Sequence, residues 1–400
     1  MPTALFHAPS HEPLAGGGWS EPAARAAVAA IAADAEEAFH PGTLWPVHPL
    51  DEAEGELRSP VGLYLGAAGV VWALDVLAEA GLAAPARDWA AVAAGLPDRY
   101  LATPDVPELT AGRPVPSLLL GESGVLLVAH RLAPVPEHVE RMLACVRANV
   151  RNPTRELLWG SPGTALAAQL MLERTRDERL AGAWRESADW LWEEWHDGLW
   201  LQDMYGTMRR YVGAGHGFAS NVHVLARGDL LDAGRRRELA RRSLETLRAH
   251  IVCDGDLAQW RPTDAPVGPD VTIRTQWCHG APGIVTSFGS IARDDDELTG
   301  MLVAGGELTW TAGPLVKGPG LCHGTAGNGY AFLKLLERTG DERWLERARA
   351  FAMHAAAQVE RARAEHGRGR YSLWTGDVGA ACFLASCISA DPAMPVLDRL

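Results

Sequence analysis

Two kinds of helical hydrophobic pattern alternate along this chain. The stretches 70–81, 164–175 and 328–340 are apolar on nearly every helical face, a pattern typical of helices buried on all sides. Amphipathic, arginine-rich stretches separate them, most clearly at 177–195 and 341–358. Both amphipathic stretches begin with an Asp-Glu pair, which is favourable at the positive end of a helix dipole. The pattern therefore predicts outer helices alternating with inner ones.

The motif Gly-x-x-Gly precedes each apolar stretch and marks the start of a sequence repeat. First glycines lie between 39 and 63 residues apart, so the repeating unit is about 50 residues long. The copy that begins at Gly217 is degenerate, because Ser220 stands where the second glycine is expected. The seven copies begin at Gly66, Gly121, Gly160, Gly217, Gly280, Gly324 and Gly376.

These repeats predict an all-α fold, a single α/α toroid of seven inner and seven outer helices. Closure into a ring is favoured because an open solenoid usually leaves one face solvated, whereas the inner stretches are apolar all round. We expect one domain over residues 1–400, with an extension over about 1–20 and seven helical hairpins over about 50–390. A further helix at about 21–39 would stand in front of the ring. Signals for β-strands are weak.

Composition narrows the possible functions. The formal net charge of −13 disfavours binding to nucleic acid, which depends on lysine and arginine. No run of 18 apolar residues occurs, so we expect no membrane span, and the N-terminus lacks the features of a signal peptide. A cytoplasmic protein is expected, and the six cysteines are then not a disulfide framework.

Chemically reactive side chains stand directly before the glycine turn in three successive repeats. They are His216 in the fourth repeat, Cys278 and His279 in the fifth, and Cys322 and His323 in the sixth. The other four repeats have leucine, tryptophan or threonine directly before the glycine. In a closed ring these positions lie at the same end of the ring, which forms the mouth of its central opening.

Two cysteines and a histidine from this set suit Zn²⁺. With Cys278, Cys322 and His323 as ligands, the fourth tetrahedral position stays open, as in catalytic rather than structural zinc sites. The remaining cysteines are expected in apolar helical contexts, as parts of the core: Cys145, Cys253, Cys382 and Cys387.

The motifs Trp277-Cys-His-Gly-Ala-Pro-Gly283 and Cys322-His-Gly-Thr-Ala-Gly-Asn328 resemble those of the LanC family of lanthionine synthetase C proteins. The resemblance covers about residues 60–390, and the Trp-Cys-His-Gly form is similar to the LanC-like branch known from eukaryotes. It implies an α,α-toroid with one zinc ion held by two cysteines and one histidine, which correspond to Cys278, Cys322 and His323.

The resemblance also implies roles for other residues. The family's catalytic histidine corresponds to His216, and its arginine four residues before the first zinc cysteine corresponds to Arg274. Glu156 is the candidate for the acidic partner of His216, with an ordinary carboxylate at a helix end as the alternative. Arg274 or His279 would stabilise an enolate oxygen; for His279 a structural hydrogen bond to a neighbouring loop is the alternative.

The reaction that the family implies is Michael addition of a thiol to dehydroalanine or dehydrobutyrine, which gives a thioether. The thiol is either a cysteine of the same peptide or an external thiol such as glutathione, and the form with His279 favours the external thiol. The partner is then a dehydrated peptide or protein made by a separate dehydratase, since 400 residues leave no room for one.

Other functions remain open at this stage. A glycoside hydrolase of the α/α-barrel type needs two facing carboxylates, and no such pair stands at the glycine turns. A zinc prenyltransferase normally supplies an aspartate ligand and a partner subunit. A non-catalytic zinc-binding protein that binds a peptide or glutathione is the third alternative. Basic residues near the mouth would bind a substrate carboxylate or phosphate, although a solvated surface is the simpler interpretation: Lys317, Arg209 and Arg210.

Overall fold

The structure is built almost entirely from helices, with two short β-hairpins between them. The computed structural model describes residues 5–15, 17–52, 59–265 and 273–400. A short 3-10 helix at Ala8–Ser10 precedes the α-helices. The α-helices in this part of the chain are α1 (Glu21–Ala38), α2 (Pro49–Glu52), α3 (Ala67–Glu79), α4 (Trp89–Ala102), α5 (Pro107–Thr110), α6 (Glu122–Leu132), α7 (Pro136–Asn149), α8 (Ser161–Thr175), α9 (Glu178–Glu193), α10 (Phe218–Ala226), α11 (Ala233–His250), α12 (Ala281–Phe288), α13 (Asp296–Ala312), α14 (Thr325–Thr339), α15 (Arg343–His366) and α16 (Asp377–Ser389).

Seven of these helices form a closed inner ring. Each inner helix packs against the next one, and α16 returns to pack against α3. The inner helices are α3, α6, α8, α10, α12, α14 and α16. The prediction of an α/α toroid with seven inner helices is therefore confirmed.

The outer ring differs from the prediction at its start. Helices α4, α7, α9, α11, α13 and α15 each pack on the inner helix that precedes them. The seventh outer helix is α1, which packs on α16 and also contacts α15. The expectation of an additional helix in front of the ring is thus wrong, because the last inner helix has no outer partner of its own and takes the first one.

Glycine occupies these turns because two backbone segments approach each other closely there, and not because the turns need unusual dihedral angles. A Cβ atom on Gly283 would lie 1.9 Å from the carbonyl oxygen of Trp277, and one on Gly280 would lie 2.1 Å from that of Arg274. Each first glycine is the N-cap of an inner helix, but only Gly280 has a φ angle (+120°) in the left-handed region. The turns therefore require glycine mainly because no side chain fits.

Both amphipathic helices begin next to their predicted Asp-Glu pairs. The carboxylate of Asp177 accepts a hydrogen bond from the Arg179 amide and begins α9. Asp341 accepts one from the Arg343 amide at the start of α15, but this helix continues to His366, well beyond the predicted end at Gln358.

The β-hairpins were not expected from the sequence. Strands β1 (Gln202–Met204) and β2 (Thr207–Arg209) form one antiparallel pair, and β3 (Ile251–Asp254) and β4 (Leu257–Trp260) form the other. Cys253 lies exposed in β3, which corrects its assignment to a buried helix. Cys145, Cys382 and Cys387 are buried in helices as expected.

Residues 391–400 cover the end of the ring opposite the glycine turns. The side chains of Met394 and Leu397 lie beside Trp277 around a small space near the ring axis. The carboxylate of Asp398 forms an ion pair with the Nζ atom of Lys334 at 3.0 Å and lies 3.5 Å from Nε2 of His223. None of the described helices combines the length and apolar character that crossing a lipid bilayer requires.

Candidate functional site

Backbone hydrogen bonds hold equivalent positions of adjacent repeats side by side at the mouth of the ring. These positions lie two residues before the first glycine of each turn. Between five pairs of neighbouring repeats, the amide of one residue donates to the carbonyl of its counterpart, at distances of 2.8–3.2 Å. In order around the ring, the bonds join Gly215, Cys278, Cys322, Trp374, Tyr64 and Leu119. The repeat geometry therefore places two cysteines next to each other.

The two cysteines meet the histidine that follows the second of them. The ligand atoms of Cys278, Cys322 and His323 all lie within 4.8 Å of one another. Both thiols are buried, and Nε2 of Gln276 lies 3.0 Å from Sγ of Cys278. A hydrogen bond with Cys322 is the main cause that holds the pKa of Cys278 well below its usual value, although burial opposes it.

This donor set fits a zinc ion. Zinc binds sulfur at about 2.3 Å and nitrogen at about 2.0–2.1 Å, so tetrahedral ligand atoms are roughly 3–4 Å apart. A small contraction of the cluster reaches that spacing. A low thiol pKa also favours the thiolate form that ligates metals.

The structure brings Glu156 and His216 together, as the sequence interpretation requires. Nδ1 of His216 lies 3.2 Å from Oε2 of Glu156. The fully buried carboxylate also accepts hydrogen bonds from the amides of Leu158 (2.9 Å) and Trp159 (2.6 Å), which fix its orientation. Burial alone would lower the pKa of His216, but the hydrogen bond and charge of Glu156 outweigh it, so this pKa is raised.

His279 lies beside this pair. Its ring centroid is 5.6 Å from that of His216 and 6.0 Å from that of Tyr211. Burial lowers the pKa of His279, and the neighbouring charges of His216 and Arg274 lower it further. Among the described residues, Nδ1 of His279 has no hydrogen-bond partner. The alternative of a structural hydrogen bond through this nitrogen is therefore not supported.

A cavity of about 300 Å³ joins these groups. One side carries the reactive residues of the fourth to sixth repeats, together with Arg274 and Lys317. Of the other basic candidates, Arg210 forms ion pairs with Asp197 at 3.6 Å and Asp264 at 4.0 Å, and Arg209 is exposed at the end of β2.

The opposite side of the cavity is apolar, and the sequence analysis did not identify it. Leu65, Leu120 and Trp159 line the cavity at the repeat position that His216, His279 and His323 occupy. Helix α5 and the tip of the β1–β2 hairpin add Leu109 and Tyr205. The position within the repeat could have identified the first three residues, whereas the last two belong to insertions between repeats.

Comparison with known proteins agrees with this architecture. The family model described as lanthionine synthetase C-like protein matches residues 59–398. The solved structure of nisin cyclase superposes with a TM-score of 0.60 at 17% sequence identity, covering 84% of this chain and 90% of that one. At this identity the likeness concerns the fold.

Two curated relatives match parts of the sequence. Glutathione S-transferase LANCL1 from Danio rerio is 30% identical over 262 residues, which are 59% of this chain and 62% of the relative. LanC-like protein GCL1 from Arabidopsis thaliana is 34% identical over 120 residues, 28% of each chain. The matched regions thus span less than two thirds of either relative.

Proposed function

The chain belongs to the lanthionine synthetase C-like family, and from this membership we propose that it is an enzyme that adds a thiol to a dehydroalanine or dehydrobutyrine residue of a peptide or protein. The thiol sulfur forms a bond to Cβ of the dehydro residue, and the π electrons of the double bond move to the carbonyl oxygen as an enolate. The thiol releases its proton, and a proton is added at Cα. The product is a thioether, and no oxidant or reductant is consumed.

One observation carries this proposal: the thiolate-rich cluster and the carboxylate–histidine pair line the same cavity. The cluster offers a place where a thiol is activated, and the pair offers a proton donor a short distance away. A glycoside hydrolase site would instead need two facing carboxylates. The arrangement therefore suits addition to a polarised double bond.

Cys278, Cys322 and His323 are the residues that would hold a zinc ion in this proposal. When bound, zinc lowers the pKa of a coordinated thiol and generates a nucleophile at neutral pH. With three protein ligands, such an ion would retain a coordination position for the substrate thiol. The hydrogen bond from Gln276 to Cys278 would orient this ligand, as partners of metal ligands commonly do.

His216 is the proposed general acid. Its Nδ1 atom is engaged by Glu156, which leaves Nε2 to deliver a proton to Cα of the enolate. The raised pKa of His216 keeps the imidazolium form populated near neutral pH. General acid catalysis of this kind contributes about 10²–10⁴ in rate, and Glu156 acts as a positioning residue.

Arg274 and His279 are the proposed partners of the enolate oxygen. Arg274 is exposed and lines the cavity, and its guanidinium supplies a permanent positive charge. His279 is more enclosed, and a lowered pKa keeps its ring neutral, so it would donate a hydrogen bond rather than a charge. Such preorganised donors stabilise charge that develops in the transition state.

Glutathione is the thiol that we propose first. The relative from Danio rerio carries glutathione in its name, and the positive side chains of Arg274 and Lys317 at the cavity suit the carboxylates of that tripeptide. Cyclisation by a cysteine within the acceptor peptide is the second candidate, since it requires the same cavity chemistry. In either case the dehydro residue must first be formed by elimination from serine or threonine.

Mass spectrometry distinguishes these reactions. The zinc-loaded protein is incubated with a peptide that contains dehydroalanine and a distant cysteine, with and without glutathione. An adduct of one glutathione per peptide supports external addition. A product of unchanged mass in which the cysteine no longer reacts with iodoacetamide supports cyclisation. If zinc is bound and neither product forms, the protein is a non-catalytic binding protein and the proposed function is wrong.

A further inference from the structure

The cavity is divided into two unlike halves at equivalent positions of the repeat. Directly before the first glycine, repeats one to three carry Leu65, Leu120 and Trp159, while the next three repeats carry histidines. Leu65 and Leu120 are largely buried, and Trp159 packs against the same core. All three also line the cavity, so the core presents an apolar surface to whatever enters it.

Helix α5 extends the apolar half to the rim of the cavity. Val106 and Ala111 flank this four-residue helix with φ angles of +49° and +53°. A β-branched residue in the left-handed region is a genuine outlier, and such strain persists only where the surroundings enforce it. The carboxylate of Asp105 enforces it here, because it accepts hydrogen bonds from the amides of Val61 (2.8 Å) and Gly62 (2.7 Å).

This anchored helix presents an apolar side chain to solvent at the cavity. Leu109 lines the cavity and yet is 55% exposed. Tyr205, which also lines the cavity, is 57% exposed at the tip of the β1–β2 hairpin, with a φ angle of +52°. Its hydroxyl accepts a hydrogen bond of 2.7 Å from Nε1 of Trp159. Two separately anchored insertions thus keep large side chains at the rim of one wall.

We propose that this wall, formed by Leu65, Val106, Leu109, Leu120 and Trp159, binds an apolar side chain of the acceptor polypeptide adjacent to the dehydro residue. The inference rests on the proposed function and names the substrate feature that the site selects. Acceptors with leucine or a similar residue beside the reacting position are preferred to acceptors with serine there.

Charge complementarity indicates that the apolar side chain of the acceptor, and not the thiol substrate, binds this wall. Glutathione carries two carboxylates, and burying a carboxylate against an apolar wall is costly. The positive charges of Arg274 and Lys317 lie on the reactive half of the cavity. A volume of about 300 Å³ is at the lower end of the range for ligand sites, so the cavity holds the reacting residue and a neighbour while the rest of the polypeptide stays outside.

Binding of unreactive peptides tests the wall independently of catalysis. Two peptides with alanine at the reacting position and either leucine or serine beside it are titrated against the full chain by calorimetry. We expect the leucine peptide to bind about tenfold more tightly, the usual scale for one apolar group in a matching pocket. The variant Leu109→Ser should lose much of that preference.

The matched control is Leu101→Ser, which removes another exposed leucine (42% exposed) at the end of outer helix α4. This control should keep the full preference. Equal binding of both peptides by the unsubstituted protein, or an equal loss of preference in both variants, would overturn the proposal.

Kinetics with dehydroalanine versions of the same peptides identify the occupant. We expect Leu109→Ser to raise KM for the leucine acceptor and to leave KM for glutathione unchanged. A rise confined to glutathione would overturn the proposal, because the wall would then bind the thiol. If no acceptor reacts although the leucine peptide binds preferentially, the proposed function fails while the wall stands.

Discussion

Each end of the ring holds a histidine beside a buried carboxylate, but the two pairs behave differently. At the mouth, Glu156 and His216 are 3.2 Å apart and the pKa of His216 is raised. At the opposite end, Asp398 and His223 are 3.5 Å apart and the pKa of His223 is lowered. Burial is the largest influence on both histidines and lowers both pKa values. The hydrogen bond and charge of Glu156 outweigh burial at the mouth, whereas the charges of Lys334 and Arg227 add to its effect at the far end.

At the far end, the charge of Lys334 lowers the pKa values of both His223 and Asp398. Its ammonium group lies 3.0 Å from Asp398; it repels a proton on His223 and holds the pKa of Asp398 low against the effect of burial. At the mouth, Glu156 is held by the uncharged amides of Leu158 and Trp159, so its charge acts on the histidine. A competing cation makes one pair structural, whereas neutral donors leave the other able to carry a proton.

The largest expected effect tests whether the mouth serves chemistry rather than folding. Cys322→Ala should abolish zinc binding and thioether formation while the far-UV circular dichroism spectrum stays helical, because it removes one of three ligands. Cys382→Ala removes another buried thiol, one whose pKa burial raises to about 12, and should retain the metal. Elemental analysis of both purified variants gives the answer, and equal zinc content would refute the ligand assignment.

Next in size is the loss of the proton donor. His216→Ala should lower kcat by about 10²–10⁴-fold with bound zinc unchanged, whereas His223→Ala at the far end should keep kcat for its folded fraction. Steady-state kinetics with a dehydroalanine peptide compare the two variants. A normal kcat for His216→Ala would remove this histidine from the mechanism.

Removing the ammonium group of Lys334 should lower the stability of the fold and not the rate of the reaction. Lys334→Met removes the cation that pairs with the buried carboxylate of Asp398, and we expect a loss of about 3 kcal/mol in the free energy of unfolding, at the lower end for a broken buried pair. Lys317→Met makes the same change at an exposed position of the mouth and should stay within about 0.5 kcal/mol. Urea denaturation measures both, and equal losses would contradict the structural role of Lys334.

The smallest expected effect concerns pH. A general acid must be protonated, so the rate falls as pH rises through the pKa of His216. Glu156→Gln removes the charge that raises this pKa, so the falling limb of the kcat profile should move to lower pH, and the rate should fall by about 10–100-fold, as for other positioning residues. A profile that keeps its limb in place would show that Glu156 does not tune His216.

Glycine made much of the fold predictable from the sequence. A close approach such as that of Gly283 to the Trp277 carbonyl excludes every other residue, so each turn is recognisable in the sequence by its glycines. The same register places Cys278, Cys322 and His323 together, so the spacing of the repeats was sufficient to predict this group of candidate metal ligands. The link between Glu156 and His216 came from family resemblance, since their separation of 60 positions has no local signal.

Features that depend on distant contacts were not predictable. The sequence of α1 resembles that of any amphipathic helix, and only its packing on α16 makes it part of the ring. Strands of three or four residues are too short for alternation to stand out. The group of His223, Lys334 and Asp398 combines three elements, and each residue alone is unremarkable in its segment.

The pairing of α1 with α16 also sets the order of events during synthesis. A ribosome releases α1 before the other helices of the ring and α16 after them, so the apolar face of α1 waits for its partner until the rest of the ring has emerged. Contacts of such high sequence separation form slowly, and exposed apolar surfaces of this kind are prone to aggregation. The residues of the mouth are therefore all translated before α1 and α16 can close the ring around the cavity.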